Sequence, residues 1–146
     1  MGARPAVSSD ATLLAEVLGE AASGLAARRG GEALLTAWLA SGEPSGAYER
    51  TASILAEHAH AVFVDEQGRG VSIAWVNEGV GWAACYVRVE ARRLGAGPEL
   101  MASALGWLDG RCEDIDALAL PGDRDWKSLL EKSGFKARLL TLRRDA

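Results

Sequence analysis

Val87-Arg88-Val89-Glu90-Ala91-Arg92-Arg93-Leu94-Gly95-Ala96-Gly97-Pro98-Glu99-Leu100 is the run whose reading decides the fold. A β-prone half passes through a glycine-bearing turn straight into a helix-prone half. Pro98 suits the first helical position, and Leu100, Met101, Ala104, Leu105 and Leu108 supply a buried stripe behind it. Amides at a helix start have no intrahelical partner, and the helix dipole adds positive potential there. Gly95 and Gly97 let the backbone come close to an anion, and Arg92 and Arg93 add charge beside it. Such a turn suits a phosphate or diphosphate; an ordinary strand–helix turn that needs glycine for its shape is the other reading. The P-loop string is absent. Gly95-Ala96-Gly97 meets Leu100 where a dinucleotide fingerprint needs its third glycine, and Gly79-Val80-Gly81 with Ala84 leads into a strand instead of a helix.

Working backwards, Val80 to Val89 reads as a strand, joined through Asn77-Glu78-Gly79 to Val71–Val76. Asp65-Glu66-Gln67-Gly68-Arg69-Gly70 is a polar hairpin turn, and Ala61–Val64 is the strand before it. The short connections make all three antiparallel. Arg4 to Val7 offers a short first strand. Ser8-Ser9-Asp10 offers caps for a helix whose apolar face is Leu13, Leu14, Val17, Leu18, Ala21 and Leu25. Further helices are expected over Ala33–Leu39 and Tyr48–His58, around the loop Ser41–Gly46.

Forwards from the loop, Ile115–Leu120 reads as a strand covered on both faces. A helix bearing Trp126, Leu129 and Leu130 follows, with Lys132 in its last turn and Gly134 as its left-handed cap. Phe135–Leu142 is expected to close the sheet. The order β-α-α-β-β-β-α-β-α-β defines an α+β, or mixed α/β, sandwich around one sheet.

The length of 146 residues favours one domain over 1–146, and 49% hydrophobic with 25% charged residues is a globular mix. Sixteen basic residues against twenty acidic ones give a net charge of −4, so neither nucleic acid nor an anionic membrane is an expected partner. The opening Met1-Gly2-Ala3-Arg4-Pro5-Ala6 has no apolar secretory core and lacks the hydroxyl residue of a myristoylation signal. The stretch from Val71 to Val87 is broken by Asn77-Glu78-Gly79, and the expected location is cytoplasmic. Cys85 and Cys112 form neither a metal knuckle nor a redox pair and read as small apolar fillers.

Taken in this order, the sequence resembles the GNAT superfamily of acetyl-CoA-dependent N-acetyltransferases. Arg92-Arg93-Leu94-Gly95-Ala96-Gly97 is similar to that family's Gln/Arg-x-x-Gly-x-Gly/Ala diphosphate loop. Leu129-Leu130-Glu131-Lys132-Ser133-Gly134-Phe135 is similar to its Leu-Tyr-Glu-Lys-Leu-Gly-Phe element. The resemblance covers nearly the whole chain, best from Val80 onward. It implies a mostly antiparallel sheet, splayed by a bulge between the fourth and fifth strands. The pantetheine arm would enter that wedge along the backbone around Tyr86, Val87 and Val89. Arg92 and the loop Arg93, Leu94, Gly95, Ala96 and Gly97 would hold the diphosphate. The implied reaction moves an acetyl group from acetyl-CoA, the cosubstrate, to a primary amine by direct attack, without a metal; the acceptor is a small molecule or a peptide.

Three residues depart from the family pattern. Pro98 has no N–H to offer a phosphate. Leu130 stands where the family has a tyrosine that protonates the CoA thiolate. Asp123 places a carboxylate where an asparagine often lines the wedge. These departures support an alternative, a weak or inactive CoA-binding or sensing relative.

For proton transfer the candidates are Glu78 and Tyr86, each with a plainer role beside it: a solvated turn carboxylate and a packed aromatic. His58 and His60 titrate near neutrality but sit where histidines are commonly structural. Trp107 and Trp126 read as core, while Trp75 and Trp82 fit an acceptor pocket or a dimer surface. Arg138, Arg143 and Arg144 read as a solvated edge, with the CoA 3′-phosphate or an acidic partner as the other possibility. An exposed strand edge and five tryptophans are compatible with a homodimer.

Overall fold

A computed structural model describes residues 2–31 and 60–144 of the chain. One sheet of five strands runs in the order β1 (Ala3–Pro5), β2 (His60–Asp65), β3 (Gly70–Asn77), β4 (Val80–Val87) and β5 (Asp114–Asp116). The first four are antiparallel neighbours, and β5 lies parallel to β4. Helix α1 (Ala11–Ala26) precedes β2, α2 (Ala96–Leu108) follows β4, and α3 (Arg124–Lys132) follows β5.

Period-two alternation along the strands divides the core into two layers. Leu14, Val17 and Leu18 of α1 pack against Val62, Val64, Val71 and Ile73. On the other face Leu100, Met101, Ala104 and Leu108 of α2, with Trp126 and Leu130 of α3, cover Ala74, Ala83 and Cys85. Each fully buried aliphatic side chain contributes about 1.5–3 kcal/mol. Between Val71 and Ile73 the buried Ser72 turns to the α2 face, where its hydroxyl donates to the Leu100 carbonyl at 2.9 Å.

The β3–β4 connection is the two-residue turn Glu78-Gly79, with φ of 50° and 81°. Positive φ at both positions is the geometry that suits a tight hairpin's twist. From it the register runs without offset, Asn77↔Val80 through Gly70↔Val87, and stacks Trp75 on its partner Trp82 at 6.4 Å.

Several expectations need correction. Asp10 does not cap α1; its carboxylate turns back to Arg4 at 2.8 and 2.9 Å and to the Val7 amide at 2.8 Å. Helix α2 starts at Ala96, so Gly97 and Pro98 lie inside its first turn. The unbroken β3–β4 register leaves no room for a bulge there; the wedge opens because β5 stops after Asp116, opposite Trp82, while β4 continues to Val87. Beyond Asp116 the chain leaves the sheet, the Leu118 carbonyl accepts from Trp126 Nε1 at 2.7 Å, and Leu120 buries itself against Ala22 and Leu25 of α1. Phe135–Leu142 forms no strand among the described residues. The expected helices over Ala33–Leu39 and Tyr48–His58 lie outside the described residues, as do Trp38 and His58. Both cysteines are free, and burial pushes the Cys85 thiol up to about 12.

Candidate functional site

The end of β4 builds the site. Arg88 N–H bonds to the Arg69 carbonyl at 2.8 Å, which fixes the alternation of the antiparallel ladder. Tyr86, in phase with Arg88, turns its N–H and C=O to β3. Cys85 and Val87, out of phase, turn theirs to the side where β5 has ended. The backbone groups available to an extended ligand are therefore those of Cys85 and Val87, and the expected contribution of the Tyr86 backbone is replaced by that of Cys85. Arg92 Nε already donates to the Val87 carbonyl at 3.0 Å.

After β4 the chain makes a single 3-10 turn, Val89–Ala91, that exposes Val89. Arg93 and Gly95 then take left-handed conformations, φ 67° and 94°. The two reversals swing the chain into α2 with Gly95 as its N-cap, and among the described residues the amides of Gly95, Ala96 and Gly97 bond to no carbonyl. Three free amides at a helix start form a cradle for an anion. A Cβ on Gly95 would meet nothing within 4 Å, so an approaching group has open space there. Gly97 serves packing instead: a Cβ there would stand 3.1 Å from the Leu129 side chain of α3. Leu94 projects from the loop and is exposed.

Two acidic residues frame the loop. Asp125, in the first turn of α3, faces Arg92 at 3.5 Å and Arg93 at 3.6 Å. Asp65 is buried, accepts the Gln67 and Arg69 amides, and takes Arg69 Nε and Nη2 at 2.8 Å each. The Arg69 hydrogen bonds hold its carboxyl below the usual range despite burial. This pair lines a small cavity of about 160 Å³ together with Leu94, Gly95 and Glu99.

Tyr86 points to the α1 layer, with the Arg92 guanidinium 5.6 Å from its ring centre. Burial raises its phenol pKa, against the opposing charge of Arg92. Glu78 is exposed in the hairpin turn at the opposite end of β4. Six residues of β4, 80–85, at about 3.3 Å each separate it from Tyr86, so the structure does not bring the two together. Leu130 is buried in the α2–α3 layer. Asp123 caps α3, accepting the Trp126 amide at 3.2 Å, and stands 3.7 Å from Arg28, so its charge is taken up locally. Sequence reading missed Asp65, Arg69 and Asp125. The only available signal was the sign of their charges, because the partners they frame lie 25 or more residues away in the chain.

Among the described residues no helix is long and apolar enough to cross a membrane, and no group of three or more His, Cys, Asp or Glu is placed to hold a metal.

A strand that outruns its parallel neighbour, then a glycine turn into a helix, defines the chain's class of structure: it has the GNAT acetyltransferase fold. No protein-family model and no curated protein matches the sequence. Solved structures do. An aminoglycoside N-acetyltransferase in complex with CoA is 14% identical, with a TM-score of 0.70 over 99% of this chain and 94% of the other. Aminoglycoside 6′-N-acetyltransferase from Acinetobacter haemolyticus is 17% identical, with a TM-score of 0.67 over 100% and 99% of the two chains. A predicted acetyltransferase from Clostridium acetobutylicum, solved with acetyl-CoA, is 12% identical, with a TM-score of 0.70 over 99% and 95%. At these identities the likeness is one of fold.

Proposed function

We propose that this protein transfers an acetyl group from acetyl-CoA to a primary amine by direct attack of the neutral amine. One observation carries the reading: among the described residues three amides free of carbonyl partners, Gly95 to Gly97, follow a strand whose Cys85 and Val87 edge extends past its last pair with β5. The residues fit the group, since the cradle is open at Gly95 and positively charged through Arg92 and Arg93.

Bound acetyl-CoA supplies the activated acetyl group. The amides of Gly95, Ala96 and Gly97 take the diphosphate. Cys85 and Val87 bond an extended ligand arm as a neighbouring strand would, with exposed Val89 and Leu94 beside it. An unpaired N–H in the wedge stabilises negative charge developing on the acyl oxygen. Tyr86, whose raised pKa keeps it protonated at neutral pH, suits donation to the departing thiolate better than acceptance from the amine. Glu78, exposed at the far end of the strand, has no part in this reading. Holding the two reactants together supplies the remainder of the rate enhancement.

A second reading, a CoA-binding relative without turnover, is favoured by Leu130, which fills the core without offering a hydroxyl, and by Pro98, which withholds an amide. Thiol release measured over a panel of amines decides between the two. Aminoglycosides head the panel because two of the similar structures are aminoglycoside acetyltransferases. Turnover with any amine establishes the first reading, and CoA binding without release establishes the second. Absence of both overturns the assignment.

A further inference from the structure

Leu120 leaves the sheet to pack on Ala22 and Leu25 of α1, and Pro121-Gly122 then turns the chain into α3. Opposite this turn the end of α1 folds back. Gly31 N–H bonds to the Arg28 carbonyl at 2.9 Å, and Gly30 is left-handed, with φ 78°. A Cβ on Gly30 would stand 3.4 Å from the Leu120 side chain, so the two turns lie against each other. Arg28, Arg29, Leu120, Pro121 and Gly122 line a cavity of about 410 Å³ there.

Charge decides what such a cavity takes. Arg28 stands 3.7 Å from Asp123, beyond hydrogen-bond distance, and Asp123 already accepts the Trp126 amide. Arg29 is exposed and has no acidic partner among the described residues. Both arginines lie past the last turn of α1, and among the described residues neither guanidinium bonds a carbonyl of that helix end. Their donors are therefore available, and paired guanidiniums suit a carboxylate or a phosphate.

Position decides which molecule brings that anion. The segment 117–123 is a wall with two sides. On its α3 side Asp125 faces Arg92 and Arg93 of the loop that takes the diphosphate. On its α1 side lies the cavity. α1 carries Glu20, 3.7 Å from Arg88 at the end of β4, and Arg28 and Arg29 follow about 12 Å further along. A molecule with an ammonium at one end and an acid at the other matches that order of charges.

On the acetyl-transfer reading, on which this rests, we propose that the cavity holds an acidic group of the acceptor. The amine that this protein acetylates then also carries a carboxylate or a phosphate. The chemistry is unchanged: the amine nitrogen bonds the acyl carbon, the C–S bond breaks, and a proton lost by the amine is balanced by one gained by the thiolate.

Initial rates of thiol release with the purified full chain test it, using amines in matched sets. Each set holds a straight-chain amino acid, an aminoalkyl phosphate, an alkylamine and a diamine of equal length. Both acid-bearing amines are expected about tenfold or more above the alkylamine in kcat/KM, with the diamine below it. Arg29→Gln should bring the acid-bearing amines down to the level of the alkylamine, through KM more than kcat, with KM for acetyl-CoA little changed. Arg29→Lys keeps the charge and should keep part of the preference. Circular dichroism checks that both variants fold. An alkylamine or diamine equal to the acid-bearing amines overturns the inference and leaves acetyl transfer standing. So does a preference that Arg29→Gln leaves intact. No release from any amine overturns acetyl transfer itself, and this inference with it.

Discussion

Arg69 grips Asp65 through Nε and Nη2 at 2.8 Å each and turns its remaining Nη1 toward the Leu94 carbonyl at 3.4 Å. One side chain thus links the β2–β3 hairpin to the anion loop. Both acceptor oxygens of Asp65 are occupied, and its carboxylate is almost wholly buried. Removing the guanidinium strands a buried charge, which is the costly way to break such a pair. Arg69→Ala is expected to cost about 2–3 kcal/mol, below the usual range because Arg69 is itself partly exposed. Urea unfolding measures that loss. Arg69→Lys cannot form the two parallel bonds, and calorimetry should find weaker acetyl-CoA binding in that variant.

Acid should expose two such carboxylates. Asp10 is lowered from 3.8 to about 2, first by its hydrogen bonds from Arg4 and then by the Val7 amide. Asp65 is lowered by Arg69. A depressed carboxylate contributes stability that is fully present above its unfolded value and is lost as pH falls through its folded value. The contribution of Asp10, on the order of 2 kcal/mol at neutral pH, should therefore fade between pH 3.8 and about 2. Asp10→Asn should flatten that part of the stability profile in urea titrations at stepped pH; an unchanged profile contradicts the assignment.

Gly95 and Gly97 should separate by what they do. Alanine at Gly95 must adopt φ 94°, with no neighbour obstructing it. Forcing that conformation costs on the order of 1–3 kcal/mol or reshapes the loop, and acetyl-CoA binding should weaken. Alanine at Gly97 keeps its amide and asks only that the Leu129 side chain give way. Its stability change should stay within about 1.5 kcal/mol, with binding retained. Melting curves and calorimetry on both variants distinguish conformation from packing.

Asp125 holds Arg92 and Arg93 in weak, half-exposed pairs that a bound diphosphate must displace. Asp125→Asn should tighten acetyl-CoA binding by about twofold to fivefold at low salt, as expected for a surface pair worth under about 1 kcal/mol. The gain should shrink as salt rises. Weaker binding in this variant would show instead that Asp125 positions the arginines.

For proton transfer, Tyr86→Phe should lower kcat by about tenfold or more, with KM for acetyl-CoA little changed. Glu78→Gln should leave both within about twofold. Steady-state thiol release gives the comparison, and the opposite ranking would return Glu78 to the reaction.

The hairpins, the two faces of the core and the strand–turn–helix step were legible in the sequence because each rests on local periodicity and turn chemistry. Glu78-Gly79 and the Gly134 cap are written in a few adjacent residues. What was hidden depends on distant neighbours. Ile115–Leu120 is apolar enough for a full strand, yet only its beginning pairs, because Leu118 serves Trp126 and Leu120 serves α1. Gly97 keeps a free amide at the helix start, but its missing side chain serves packing against Leu129, a distant neighbour. The choice of Cys85 over Tyr86 for the wedge follows from ladder phase, which one hydrogen bond between Arg88 and Arg69 reveals and composition does not. Residues 135–142 have the composition of a strand, yet among the described residues they pair with none.

The central claim is that the free amides of Gly95 to Gly97 hold the diphosphate of a CoA thioester. Calorimetric titration of the purified protein with acetyl-CoA, alongside Gly95→Glu, tests it most directly. The account predicts one saturable site per chain that the glutamate removes while the circular dichroism spectrum persists. No heat up to millimolar ligand, or equal affinity in the folded variant, would contradict it.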